Sequence, residues 1–107
     1  LMAGLAPDGA DRARLRATYL ANLAWAAAQA RDISLLIEPI NTRDIPGFFL
    51  NSSQQTVDII KAVGSDNLFL QYDIYHMQIM EGDVARGIAS KLALIPHMQL
   101  ADNPGRN

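Results

Sequence analysis

Three short apolar runs each end in a polar side chain that can bind a hard cation or carry a proton. Leu35-Leu36-Ile37 leads to Glu38, Leu68-Phe69-Leu70-Gln71-Tyr72 leads to Asp73, and Ile95-Pro96-His97-Met98 leads to Gln99. Glu38 and Asp73 are 35 residues apart, Asp73 and Gln99 are 26 apart, and a helical pattern fills each gap. A carboxylate can remove and return a proton in general acid–base chemistry. Two carboxylates and an amide oxygen form an all-oxygen donor set, which favours Mg²⁺ or Mn²⁺ over structural zinc in a chain without cysteine. Three protein ligands leave coordination positions for substrate oxygens, as Lewis-acid catalysis requires. Each residue alone is weak evidence. A strand-end carboxylate often caps a helix, a strand Gln can satisfy a neighbouring backbone group, and His76, three residues after Asp73, can be a buried hydrogen-bonded side chain as readily as a substrate contact. His97 shares a strand face with Gln99 and is expected to be a packed structural histidine. Chance seldom places Glu, Asp and Gln at matching ends of consecutive units, so the set weighs more than its members.

The elements that would carry these residues are readable from periodicity and caps. Asp11 is an N-cap for a long helix to about Arg31, with Leu15, Tyr19, Leu23, Ala26 and Ala30 on one face. Ile33 to Ile37 is a continuous apolar run, the pattern of a strand covered on both faces, and Pro39 ends it. Asn41 to Asn51 is a long loop, and Phe48 and Phe49 near its tip either line a pocket or pack beneath it. Ser52 or Ser53 caps a second helix with apolar Val57, Ile60 and Val63, and Gly64 suits its C-terminal left-handed residue. A third, less regular helix is expected between about Asp83 and Leu94, weakened by Gly87.

Helix and strand alternate, and connections of this length imply a parallel α/β fold. On the second strand Phe69, Gln71 and Asp73 share one face, and Leu68, Leu70 and Tyr72 share the other. An open doubly wound sheet wants apolar residues on both faces. One apolar face and one that turns polar toward the strand ends instead fit a closed barrel with a hydrated mouth. The predicted fold is therefore a partial (β/α)₈ TIM barrel of about three βα units with parallel strands, residues 1–107 forming a fragment of a single domain. In such barrels active sites sit at the C-terminal ends of the strands.

Bulk composition narrows the function classes. The chain has 107 residues, half of them hydrophobic, and a net charge of −2, which describes a folded body rather than a disordered one. Nine Lys and Arg are scattered among eleven Asp and Glu, so no nucleic-acid footprint is expected. No run approaches the roughly 20 apolar residues of a membrane span, and no signal segment opens the chain. Absence of cysteine fits a cytoplasmic location. The chain starts at Leu1 and stops in the turn-like Gly105-Arg106-Asn107, so it is expected to be an interior slice of a longer protein. Homo-oligomerisation is left open.

At these same residues the chain resembles the hydroxypyruvate isomerases, within the xylose-isomerase-like barrel group of sugar isomerases and epimerases. The resemblance lies in Leu36-Ile37-Glu38-Pro39-Ile40-Asn41, Asp44-Ile45-Pro46-Gly47-Phe48, Gln71-Tyr72-Asp73-Ile74-Tyr75-His76-Met77-Gln78 and His97-Met98-Gln99-Leu100-Ala101-Asp102-Asn103-Pro104-Gly105-Arg106. It implies the part of a barrel from the helix after strand four to the end of strand seven. It also implies that Glu38, Asp73 and Gln99 are three of four ligands to a divalent metal, Mg²⁺ or Mn²⁺. The fourth ligand, a Glu that is also the second acid/base group, is expected beyond Asn107. Glu38 would be the catalytic partner within this chain, His76 and Arg106 would contact substrate, and Asn41 and Arg43 are further substrate-binding candidates. The implied reaction interconverts hydroxypyruvate and tartronate semialdehyde through an enediolate, as part of glyoxylate metabolism. Related reactions on 2-oxo-tetronates or ketoses are the nearest alternatives. A DNA-repair endonuclease of the same barrel type would need several His ligands and basic loops, and a catalytically incomplete barrel could serve as an interaction module.

Overall fold

A computed structural model describes residues 1–107 as a three-stranded parallel sheet with helices on one side. The elements in chain order are α1 (Arg12–Gln29), β1 (Leu35–Ile37), α2 (Ser53–Val63), β2 (Leu68–Asp73), α3 (Ile74–Met80), α4 (Val84–Lys91), a 3₁₀ turn (Leu92–Leu94) and β3 (His97–Gln99). The sheet order is β1-β2-β3. Leu36 pairs with Phe69 and Ile37 with Leu70, while Tyr72 pairs with Met98 and Asp73 with Gln99. All strands therefore point the same way, and their C-terminal ends share one rim. The partial (β/α)₈ architecture read from the sequence is the one observed.

Local chemistry explains most element boundaries. The Asp11 carboxylate accepts from Ala13 N (3.0 Å) and Arg14 N (3.4 Å), satisfying two of the free amides that begin α1. Ser52 Oγ accepts from Gln55 N at 3.0 Å to begin α2, and Gly64, at φ 72°, ends it with N–H donated to Ile60 O. A side chain at that φ would be strained, so Gly is the residue the stop requires. The first turn of α2 is also held from a distance. Glu81, just past α3, accepts from Ser53 N at 2.6 Å and Ser53 Oγ at 2.7 Å.

The core follows the alternation of β2. Leu68, Leu70 and Tyr72 are buried against the helices, whereas Phe69 and Gln71, on the opposite face, are half-exposed. Ile37, Leu50, Ile59 and Met77 complete the fully buried centre. Phe48 and Phe49 are buried beneath their loop, and each also forms part of the wall of a shallow surface pocket. Phe49 meets Tyr19 edge-on at 5.9 Å and lies under the Arg12 guanidinium at 4.9 Å. No helix is long and apolar enough to cross a membrane.

Several expectations needed correction. The apolar run Ile33–Ile37 pairs only from Leu35, because Ile33 lies in the turn after α1 and is 60% exposed. The expected helix from Asp83 to Leu94 stops at Lys91 and tightens into a 3₁₀ turn, and Asp83 makes no side-chain cap bond. A short helix that the periodicity did not announce, α3, follows β2 directly. His97 is exposed rather than packed.

One side chain ties α1 to the start of β2. Asn67, with 8% exposure, donates from Nδ2 to the carbonyls of Ala27 (3.0 Å), Ala30 (2.9 Å) and Ile33 (3.3 Å). In a barrel-length protein containing this chain, Asn67→Ala should lower unfolding stability by about 1–3 kcal/mol, because the Ala27 and Ile33 carbonyls lose this donor while Ala30 O keeps Ile33 N–H at 3.2 Å. Urea titration measures the change, and a loss under about 0.5 kcal/mol would show the carbonyls find other partners.

Candidate active site at the strand ends

Asp73 has two structural tasks at once. It is the last residue of β2 and the N-cap of α3, where its Oδ1 accepts from Tyr75 N at 2.9 Å. The strand passes into the helix without an intervening loop, and the first turn of α3 swings His76 back over Asp73. His76 Nε2 then lies 3.5 Å from Asp73 Oδ2 and 3.9 Å from Glu38 Oε2. Potential ligand atoms of Glu38, Asp73 and His76 all fall within 4.8 Å of one another. Asp73 and His76 are nearly fully buried, whereas Glu38 is partly open.

The protonation pattern of His76 follows from its neighbours. Asn41 Oδ1 accepts from the backbone N–H groups of Arg43 (3.1 Å) and Asp44 (2.7 Å), which fixes the amide orientation. Asn41 Nδ2 must then be the group facing His76 Nδ1, at 2.8 Å, and Asn41 N–H points at the same atom from 3.3 Å. Two donors aimed at Nδ1 make it the acceptor, so the neutral ring carries its proton on Nε2. That N–H faces the two carboxylates. Burial lowers the pKa of His76, with Asp73 opposing the shift.

Glu38 has the opposite displacement. Burial, then the charge of Asp73 and a hydrogen bond to it, push Glu38 from 4.5 up to about 7, with Arg106 pulling the other way. Two carboxylates this close repel unless a proton or a cation sits between them. The donor set thus fits a metal ion. With its proton on Nε2, His76 presents a donor to this space rather than a metal lone pair.

Other residues named from the sequence are distributed as follows. Gln99 ends β3 beside Asp73 on the same face, and its Oε1 accepts from Gln71 Nε2 at 2.8 Å. Arg106 stacks over the Tyr75 ring at 4.5 Å and brings Nη2 to 4.0 Å from Asp73 Oδ2. Asn41 is fully buried beneath the site. Arg43 is exposed, and its side chain makes no hydrogen bond or ion pair. Three participants were not singled out from the sequence. Gln71 holds Gln99. Asp44 Oδ2 accepts from Tyr75 OH (2.7 Å) and Asn41 Nδ2 (3.3 Å), and these bonds lower the pKa of Asp44 and, for the first, raise that of Tyr75. The spacing Asn41-x-x-Asp44 is the signal for a side-chain-stabilised turn that would have flagged the pair.

The raised Glu38 pKa makes a testable statement about stability. Because its folded-state pKa exceeds the unfolded value, Glu38 favours folding most at low pH and progressively less as pH rises from about 4.5 to about 7. His76, depressed in the fold, acts in the opposite sense, adding stability as pH rises toward 6.5. A difference measurement separates them. In chelated barrel-length protein, Glu38→Gln should gain on wild type across pH 4.5–7 by about 1 kcal/mol, a modest value because Glu38 is still partly open to solvent. Thermal melts across this range check it, and a pH-independent difference would contradict the raised pKa of Glu38.

Residues 1–107 match in full the family model described as Xylose isomerase-like TIM barrel. The chain is 55% identical over 109 residues to the 2-oxo-tetronate isomerase of Cupriavidus necator, covering 100% of this chain and 42% of that protein. It is 46% identical over 107 residues to the hydroxypyruvate isomerase of Escherichia coli, covering 98% of this chain and 42% of that protein. Among solved structures it is similar to the crystal structure of an AP endonuclease, family 2, from Brucella melitensis. That match has a TM-score of 0.88 and 36% identity, and it covers 91% of this chain and 38% of the other. The chain thus spans about two fifths of the length of the curated relatives it matches. By sequence over its whole length and by fold, it belongs to the xylose isomerase-like TIM barrel family.

Proposed function

We propose that this chain carries part of the active site of an isomerase for small hydroxy-keto acids, interconverting hydroxypyruvate and tartronate semialdehyde through an enediolate. The observation that carries the reading is the convergence of Glu38, Asp73 and His76 within 4.8 Å at the C-terminal strand ends. Relatives named as isomerases of hydroxypyruvate and 2-oxo-tetronate support the same reaction class.

Glu38, Asp73 and Gln99 are the residues that would hold a divalent cation, Mg²⁺ or Mn²⁺. When bound, such an ion polarises substrate oxygens and stabilises negative charge developing on them. Glu38 removes a proton from the hydroxymethyl carbon of hydroxypyruvate. The electron pair moves into the adjacent carbon–carbon bond as the ketone oxygen takes up negative charge. His76 donates its Nε2–H toward a substrate oxygen at this stage. Return of a proton to the former carbonyl carbon, while the hydroxyl hydrogen of the other carbon passes to the former ketone oxygen and that carbon becomes an aldehyde, completes the exchange. Positioned acid–base groups contribute about 10²–10⁴-fold to such steps. Arg106 is the cation for the substrate carboxylate, and exposed Arg43 is a rim candidate for the same task.

A second substrate deserves equal weight in the test, because the relative at 55% identity is named for 2-oxo-tetronate rather than hydroxypyruvate. A nuclease reading is less well supported. Of the chain's two histidines only His76 joins the cluster, and His97 is exposed on β3.

In a barrel-length protein containing this chain, Glu38→Gln should reduce turnover of either substrate by at least about 10²-fold while the far-ultraviolet circular dichroism is unchanged. Turnover within tenfold of wild type would remove Glu38 as the base. Asp73→Asn should weaken Mn²⁺ binding about 10-fold or more in a calorimetric titration, and an unchanged affinity would take Asp73 out of the ligand set.

A further inference from the structure

The resemblance to sugar isomerases treats Asn41 as a substrate contact, but its surroundings assign it differently. Asn41 has no exposed surface. Its Oδ1 is occupied by the Arg43 and Asp44 amides, and its Nδ2 is occupied by His76 Nδ1 and Asp44 Oδ2. No amide position remains for a ligand. We propose that Asn41 is a positioning residue that locks His76 in the Nε2–H form, with Asp44 and Tyr75 bracing Asn41 from the outer side.

The argument is one of forced orientation. The turn from Asn41 to Asp44 points two backbone N–H groups at one side-chain oxygen, so the amide cannot flip without losing both bonds. Its NH₂ is thereby committed to the histidine. The backbone N–H of Asn41 adds a second donor to the same ring nitrogen at 3.3 Å. Asp44 receives the other amide hydrogen at 3.3 Å and the Tyr75 hydroxyl at 2.7 Å, linking the β1–α2 loop to the helix that carries His76. The opposite tautomer would set N–H against N–H at Nδ1 and turn a lone pair toward Asp73 and Glu38. A ring oriented this way offers a hydrogen-bond donor to the site before any substrate arrives, so no reorganisation is needed when an oxygen takes up charge. The expected kinetic effect rests on the isomerase reading above, whereas the tautomer does not.

The test is nitrogen NMR of His76 in a barrel-length protein containing this chain, with Mn²⁺ omitted and Mg²⁺ present, and His76→Gln used to assign the signals. Wild type should show an unprotonated Nδ1 and a protonated Nε2 at neutral pH. Asn41→Asp, nearly isosteric, sets an acceptor against Nδ1. It should move the proton there and lower kcat about 10–100-fold with a smaller change in KM. Asn41→Ala retains the backbone donor and should keep the Nε2–H form, losing less activity than Asn41→Asp. A packing role alone ranks the two variants the other way, since Ala leaves the larger void. A wild-type proton on Nδ1, or that reversed ranking, overturns the proposal. Should a variant fail to fold, the wild-type spectrum still decides the tautomer. A correct tautomer without turnover of either keto acid would support the positioning role and count against the proposed reaction.

Discussion

The bond from Tyr75 N–H to Asp73 Oδ1 decides most of what surrounds it. It lets a buried strand end in a helix with no loop between them, and it uses one carboxylate oxygen as scaffolding while leaving the other at the site. Because His76 is the third residue of that helix, its ring is delivered to the carboxylate that caps it. Glu38 arrives from the neighbouring strand through the parallel register, since Leu36 lies beside Phe69 and two residues on is Glu38, on the same face as Gln71 and Asp73. A slip of one residue in the β1–β2 pairing would turn Glu38 to the helical side. Backbone hydrogen bonding and side-chain placement are therefore one constraint.

Electrostatics and scaffolding divide the work among these residues. Burial first, and then repulsion from Asp73, raise the pKa of Glu38, and neither carboxylate can retreat: Asp73 is pinned by a cap, and Glu38 follows a paired strand closed by Pro39. Arg106 relieves part of the strain from the solvent side, stacked on Tyr75 rather than paired closely with either acid. Asn41 Nδ2 donates both ways, to His76 Nδ1 and to Asp44 Oδ2, so the link from the histidine through the amide ends on an exposed carboxylate. That carboxylate keeps its charge because Tyr75 and Asn41 both donate to it.

Much of this was legible in the amino acids. Asp11, Ser52 and Gly64 mark helix ends by local chemistry, and the structure places the boundaries there. Alternation along Leu68–Asp73 correctly separated the helix-facing side from the polar one, and with it the parallel α/β class. The short helix α3 was missed for a physical reason. Its seven residues include three buried ones, Tyr75, His76 and Met77, in succession, so they lack the polar face that a periodicity argument seeks. The exposure of His97 was missed because the alternation of one strand does not say what lies across from it. The site residues divide the same way. Glu38, Asp73 and His76 carry chemistry visible in their types, whereas the service of Asn41 depends on a partner 35 residues away that no local pattern specifies.

Glu81 and Asn41 together have a mechanical consequence. The segment between β1 and α2 is fastened to α3 near both of its ends, by Asn41 on His76 and by Ser53 on Glu81. Two anchors on one rigid element leave no hinge, so this wall of the mouth behaves as a fixed jaw. The tail after β3 is held more lightly, by the Arg106 guanidinium on the Tyr75 ring, its 4.0 Å approach to Asp73 Oδ2 and a 3.4 Å bond from Asn103 Nδ2 to the Tyr75 carbonyl.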